Sequence, residues 1–475
     1  MKDGRRGGGL LRRHHHHRHP PPNATTTTTS SSSSSSALRG GRSWQKPGAS
    51  KASASASVLF FGAYWPDANA SGAGVRTVAL LEAFLGDWSY EAAHFASPNR
   101  ENECSERLRD LGVRTVRCRM NRRDELEDLV SGVRPDVVVF DQFTSEEQYS
   151  WVVRSAAPDA LRVLDMQDSH ALRLWREGRA RGASSPSTDT PPATYKELQR
   201  ELAAIHRSDL TLVCSPFELS LLTETYGVDP RKLCLASFFY DRIERGPSFE
   251  ERRGFVTLGT AMHGPNVDAV RWLRQDIWKV VRERGGSQME VRVYGAHFET
   301  EAGLAQMHNQ GEGFLVEGFA SDLRDVLSKA RVLVAPLRYG AGIKTKILDA
   351  WSFGTPVCTT PVGSEGLLDS GGWGGLGSAT TASEFAESAV LLHEDKETWE
   401  KASQDGLRIL SESFDRRANL SVVGEAIEER RATLQKMRDN DYTGNAFWHN
   451  TLRSTEYFSR WIELKEESQN TNKPS

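Results

Sequence analysis

The sequence predicts an α/β protein with two doubly wound parallel sheets in tandem, facing each other across a cleft. Three observations predict it. Short apolar runs bounded by Gly and Pro alternate with helical patterns from Val58 onward. The alternation breaks at a charge-rich stretch, Asp241 to Arg253, that also holds Gly246 and Pro247, and then restarts. A chain of 475 residues has room for two or three domains.

In chain order, Val58-Leu-Phe-Phe61 is a short buried strand ended by Gly62, and Thr77 to Leu85 reads as a helix. Strands follow at Val113–Cys118, at Asp136–Phe140 behind Arg134-Pro135, and at Leu161–Asp165. A polar stretch, Gly178 to Thr194, reads as a mobile loop. A helix from Tyr195 to Arg207 leads to a strand at Leu210–Cys214, and Ser215-Pro216 opens another helix. After the linker, strands fall at Phe255–Leu258, Glu290–Tyr294, Phe314–Glu317, Val332–Ala335 and Pro356–Thr359. Helices lie between them near Val267–Arg284, Leu323–Ala330 and Thr345–Phe353, and a last helix pair runs from Ser383 to Met437. The predicted domains are a low-complexity extension (1–57), a first α/β domain (58–240), a second (254–435) and a tail (436–475). Ligands of such sheets bind beyond the carboxyl ends of the strands.

Composition narrows the function. Lys and Arg sum to 60 against 63 Asp and Glu. Residues 1–57 hold ten of the basic residues and one acid, Asp3, so the rest of the chain is acidic by twelve charges. That argues against a nucleic-acid-binding body, which carries a basic surplus. The five Cys are far apart with no CxxC, which excludes a disulfide scaffold and a Cys-type zinc site and predicts a reducing compartment. Cys118, Cys214, Cys234 and Cys358 sit in apolar runs and read as small core residues. No stretch approaches 18 apolar residues, and no secretory leader is visible. The extension, with its His cluster (His14 to His17, His19), Thr25 to Thr29 and Ser30 to Ser36, has too little apolar surface to fold and is expected to be disordered. It has the Arg- and Ser-rich, acid-poor texture of an organelle transit peptide; the alternative is an extension without a special role. The expected location is intracellular, cytoplasmic or organellar.

The strongest chemical signal is the run from Val332 to Cys358. A strand enters a turn with Gly340 and Gly342, and a helix follows. Glycines admit positive φ and close backbone approach, and a helix N-terminus presents free N–H groups and partial positive charge. Lys344 and Lys346 lie in the first turn, where cations oppose the helix dipole unless an anion binds there. Arg338 adds a guanidinium suited to phosphate, and Asp349 an acceptor for ribose hydroxyls.

This segment resembles the donor-site signature of glycosyltransferases of the two-Rossmann-domain (GT-B) type, specifically the large retaining, family-4-like group that includes sucrose synthases and many bacterial mannosyl- and glucosyltransferases. The pattern R-x-G-x-G-x-K-x-K-x-L-[E/D]-A, then G-T-P-V and V-G-x-E-G, is met by Arg338 to Ala350, Gly354 to Val357 and Val362 to Gly366. The likeness spans Val58 to Arg431. It implies a nucleotide-sugar co-substrate whose ribose meets Asp349, an acceptor hydroxyl, retention of configuration, and neither metal nor other cofactor. The family's first glutamate, eight residues before Asp349, is here Ala341. Gly259 to Leu273 looks like the family's G-x-x-x-x-x-P-N-x-D-A-x-x-[WF]-L stretch, which implies that Gly259, His263 and Asn266 line the donor pocket. Tyr294-Gly295 is placed facing the base, and Gly318 where backbone groups meet the nucleotide. Ala70 to Thr77 resembles the family's glycine-rich loop facing phosphate or acceptor, with Gly72, Gly74 and Arg76 as candidates. After the strand ending at Asp165, Asp168 and His170 stand where relatives carry a His-Asp pair near the sugar, and Arg173 either reaches phosphate or pairs with Asp168. The expected activity is glycosyl transfer to an acceptor hydroxyl; the alternatives are a nucleotide-sugar epimerase and a non-catalytic nucleotide-sugar-binding relative.

Overall fold

The computed structural model describes residues 56–182, 188–241, 246–298, 300, 303–367 and 372–471. The His cluster and the Thr and Ser runs of the extension lie outside the described residues, as do parts of the Gly178–Thr194 loop and of the linker.

Seven strands form the first sheet: β1 (Ser57–Phe61), β2 (Ala92–Ser97), β3 (Arg114–Arg117), β4 (Val137–Asp141), β5 (Leu161–Asp165), β6 (Leu210–Val213) and β7 (Leu233–Leu235). All pair in parallel, in the order β3-β2-β1-β4-β5-β6-β7. Six more form the second: β8 (Arg253–Leu258), β9 (Val291–Tyr294), β10 (Phe314–Gly318), β11 (Ala330–Ala335), β12 (Val357–Thr359) and β13 (Gly375–Leu376). They too are parallel, in the order β10-β9-β8-β11-β12-β13. Each order reverses once, between β1 and β4 and between β8 and β11, which opens a crevice at the carboxyl edge of each sheet. These are the two Rossmann-like domains the sequence predicts.

Helices cover both faces of each sheet, so the central strands bury both sides and read as unbroken apolar runs. In the first domain Phe60, Phe84 and Phe95 pack on one face. Phe61, Phe140 and Tyr149 pack on the other, with Phe61 stacked on Tyr149 at 4.5 Å. In the second, Trp278 and Phe314 lie on one face and Trp351 and Ile347 on the other. All five Cys are buried and free.

Several expectations are corrected. β2, β7 and β13 had no clear sequence signal: β2 reads Ala-Ala-His-Phe-Ala-Ser, without the β-branched residues that mark a strand. The helix expected from Thr77 starts at Gly72, with Ser71 as its cap accepting from the Gly74 amide at 3.0 Å. The predicted glycine-rich loop is therefore a first helical turn. Arg252, read as linker, is fully buried in the second domain and donates to Thr355 Oγ1 (2.7 Å) and to the Leu327, Ala330 and Phe353 carbonyls.

The last helix pair is three helices, Ala382–Glu394, Lys396–Ser413 and Arg416–Asp439. The third leaves the second domain and packs on the first. Its Leu420, Val423 and Ile427 join the core of Phe84 and Val139. Trp88 donates to the Leu420 carbonyl at 3.2 Å, and Arg431 pairs with Asp136 at 2.8 Å. The tail continues on the first domain: buried Trp448 lies beneath the guanidiniums of Arg154 and Arg162 at 4.4 and 4.7 Å. The boundary at 435 thus moves back to the turn before Arg416. Helical spacing reveals that an apolar face exists, not which core receives it. Truncation of Ile427 to Ala in this core is expected to lower unfolding free energy by about 2–5 kcal/mol, read from urea denaturation.

Candidate functional site

The two carboxyl edges enclose a cavity of about 400 Å³. The first domain lines it with Ala68 to Ala73, Gln142, Asp168, His170 and Arg173. The second contributes Gly259, His263, Asn266, Tyr294 and the run Tyr339 to Lys346, together with Asp349. Of the predicted residues, Gly72, Asp168, His170, Gly259, His263, Asn266, Gly340, Gly342, Lys344, Lys346 and Asp349 meet here.

Two helix N-termini converge on this cavity. The helix Gly72–Leu85 begins against Thr345, the first residue of the helix Thr345–Ser352; a Cβ on Gly72 would stand 2.6 Å from Thr345 Cγ2. Neither helix has an acidic residue in its first turn, and Lys344, at the second cap, provides no side-chain cap bond. Both ends therefore direct N–H groups and partial positive charge, with no carboxylate in the first turn, toward the cavity; Ser71 satisfies only the Gly74 amide. Lys344 is buried, with Nζ on the Gly342 carbonyl at 2.7 Å; burial lowers its affinity for a proton, against the opposing pull of Glu365 and Glu218. Lys346 Nζ bonds Asn266 Oδ1 at 2.7 Å, and burial pulls its pKa down to about 8. Burial pushes Asp349 up to about 6, partly offset by the Tyr240 hydroxyl, which donates to its Oδ1 at 2.6 Å.

The wall opposite is built on β5. Burial works to raise the Asp168 carboxyl, but Arg173 (Nε to Oδ2, 2.7 Å) and then His170 (Nε2 to Oδ1, 3.4 Å) outweigh it and hold it below the usual carboxylate range. Arg173 is thus the partner of Asp168. Burial lowers His170, which also meets the Phe143 ring edge-on at 5.4 Å. Burial brings His263 down to about 4, so neutral imidazoles stand beside the ionised Asp168 at neutral pH.

Four predicted residues are placed elsewhere, the first being Gly318, which ends β10 and does not line the cavity. Gly74 is buried in the first turn of its helix and does not line the cavity. Arg76 is wholly buried beneath the site: its Nε bonds Asp165 at 2.9 and 3.0 Å, and Nη1 meets the Ala236 and Ser237 carbonyls. Arg338 turns out of the cavity, pairing through Nε with Asp268 at 2.8 Å and lying 5.8 Å from the Trp272 ring. Where each stands in its local element explains both arginines. Arg76 is in the second turn of a helix that the sequence reading began at Thr77, and Arg338 precedes the turn rather than standing in it.

Sequence reasoning missed a set of buried carboxylates. Glu201 accepts from Ser169 Oγ (2.8 Å) and the His170 amide (2.9 Å), and burial raises it to about 8. Glu218 accepts from the amides of Ser169 (3.1 Å) and Gly342 (2.7 Å). Each lies within a helix, 32 and 49 residues beyond the loop it holds, so spacing gave no signal. Gln142 and Gln167, both at the cavity, have left-handed backbones with φ of 67° and 63°.

Residues 252–395 match the model of the family described as Glycosyl transferases group 1. That segment holds the whole glycine turn, both lysines and Asp349. The chain is a glycosyltransferase. No curated protein sequence matches the chain. Solved structures share its fold. HepE of Anabaena, in complex with UDP and glucose, superposes with a TM-score of 0.61 at 12% identity, over 79% of this chain and all of that one. Sucrose-phosphate synthase of Thermosynechococcus elongatus gives 0.58 at 15% identity, over 80% and 100%. A glycosyltransferase of Rickettsia africae gives 0.57 at 10% identity, over 79% and 98%. The arrangement common to them is the GT-B one of two Rossmann-like domains facing a cleft. Among the described residues no helix is long and apolar enough to cross a membrane.

The Arg76–Asp165 pair makes a stability prediction. Asp165→Ala leaves a buried guanidinium without its counter-charge, and a loss of about 3–5 kcal/mol is expected in chemical denaturation.

Proposed function

We propose that this glycosyltransferase moves a sugar from a nucleoside-diphosphate donor to an acceptor hydroxyl, with retention and without a metal ion. The observation that carries the proposal is the convergence of two helix N-termini with Lys344 and Lys346 on one cavity. Backbone N–H groups and two ammonium groups suit a diphosphate, whose negative charge grows as the sugar leaves. Asp349, one turn along the same helix, faces the ribose. Asp168 and His170 face the sugar from the opposite wall. With Ala341 in the turn, the carboxylate beside the sugar comes from Asp168 instead, directly across Gly342. The likeness of Arg338 to Ala350 to the retaining group supports retention, and the bound UDP of HepE makes UDP the first nucleotide to try.

Protonation should shape donor affinity. The diphosphate favours protonated Lys346, so affinity falls as pH rises above about 8, where the free ammonium deprotonates. A ribose hydroxyl donates to an ionised Asp349, so affinity also falls below about pH 6. Calorimetric titration with UDP between pH 5 and 9.5 is therefore expected to give a maximum between those values; an affinity flat across the range contradicts both assignments. The double variant Lys344→Ala with Lys346→Ala is expected to abolish the rise in melting temperature that UDP gives the unaltered protein. Chelation with EDTA is expected to leave turnover unchanged.

A further inference from the structure

We propose that Glu218 is a positioning residue that fixes the sugar-facing loop of the first domain against the diphosphate loop of the second. The inference rests on the reading of the cavity as a donor site. Glu218 lies on the short helix Pro216–Ser220 that follows β6, and it is 1% exposed. One oxygen, Oε1, accepts from two amides: Ser169, between Asp168 and His170, and Gly342, in the glycine turn. A single atom thus joins the two segments that must hold sugar and diphosphate at a set separation.

The other oxygen, Oε2, is buried with no hydrogen-bond partner. A buried acceptor left unpaired is unfavourable, so the carboxylate has little to offer the fold beyond the bonds at Oε1. The titratable groups that face it are Asp168, Glu201 and Lys344. A second tie runs parallel to the first. Arg176 Nη1 donates to the Gly340 carbonyl at 3.1 Å and grips Glu365 through both its carboxylate oxygens at 2.8 Å. Gly342, with φ of 63°, leaves no room for slack: a Cβ there would stand 2.9 Å from Asp168 Cβ. Neither Glu218 nor Arg176 lines the cavity. Glu218 therefore acts through the loops and not on the substrate.

Orientation between reacting groups affects the rate more than the affinity for either one. Loss of the tie should lower turnover while Lys346 and Asp349 still hold the nucleotide. The role depends on the reach of one carbonyl oxygen, which Gln retains and Asp does not.

The test uses the full chain and the variants E218A, E218Q and E218D. Amide hydrogen exchange is measured without ligand, UDP affinity by calorimetry, and UDP-glucose cleavage by UDP release. In E218A and E218D the peptides holding Ser169 and Gly342 are expected to exchange about tenfold faster together, with turnover down about tenfold and UDP affinity within about threefold. E218Q is expected to match the unaltered protein in all three. Unchanged exchange at both loops in a folded E218D, or turnover lost in E218Q, overturns the proposal. Should the unaltered protein bind none of UDP, ADP and GDP, the donor-site reading falls, and hydrogen exchange still decides whether Glu218 ties the loops. Should E218A not fold, E218D carries the test.

Discussion

The glycine turn Gly340 to Lys344 is held from both domains at once, and the rest of the site depends on that hold. Its amide at Gly342 is fixed by Glu218 and its carbonyl at Gly340 by Arg176, both from the first domain. Its own end opens the helix Thr345–Ser352, whose N-terminus meets that of the helix Gly72–Leu85. Two parallel sheets with the same strand order, set edge to edge, bring these ends together; each contributes a crevice, and the cavity is their sum. The helix Arg416–Asp439 fastens the arrangement by carrying the chain back from the second domain to the core of the first.

The electrostatics of the cavity follow from burial. Two lysines lie at a helix end that already carries partial positive charge, and burial lowers the proton affinity of both. A diphosphate placed there would add negative charge beside both ammonium groups and favour their protonated forms. Opposite them, Asp168 is kept ionised by Arg173, and His170 is driven toward the neutral form, as is His263 on the lysines' own side. The cavity is therefore divided into a cationic half on the second domain and a half with one carboxylate on the first. That division fits a substrate with a dianionic leaving group and a sugar that gains positive character as the bond breaks.

Much of the frame was legible in the sequence because its strands are continuous β-branched and aromatic runs, such as Val137 to Phe140, that only a covered parallel sheet explains. The second-domain site was legible for a related reason: Gly340, Gly342, Lys344 and Lys346 stand at spacings that a strand, a turn and a helix start impose. What escaped was set by tertiary contact. Arg76 and Arg338 are cations near the right loops, but one is neutralised beneath the sheet by Asp165 and the other is drawn off by Asp268. Glu201 and Glu218 read as ordinary helical acids until the fold buries them against amides distant in the chain. The destination of the apolar stripe Leu420, Val423 and Ile427 was likewise invisible, since its spacing serves either core.

The proposed reaction breaks the bond between a sugar and a nucleoside diphosphate. Phosphorus NMR of the protein with UDP-glucose, and in parallel with the ADP and GDP sugars, follows that bond directly. The pyrophosphate signals of one donor are expected to give way to those of free nucleoside diphosphate at a rate proportional to protein, and the Lys344→Ala, Lys346→Ala variant is expected to leave them intact. Donor spectra that stay unchanged with every nucleotide, over a protein shown to be folded, would contradict it.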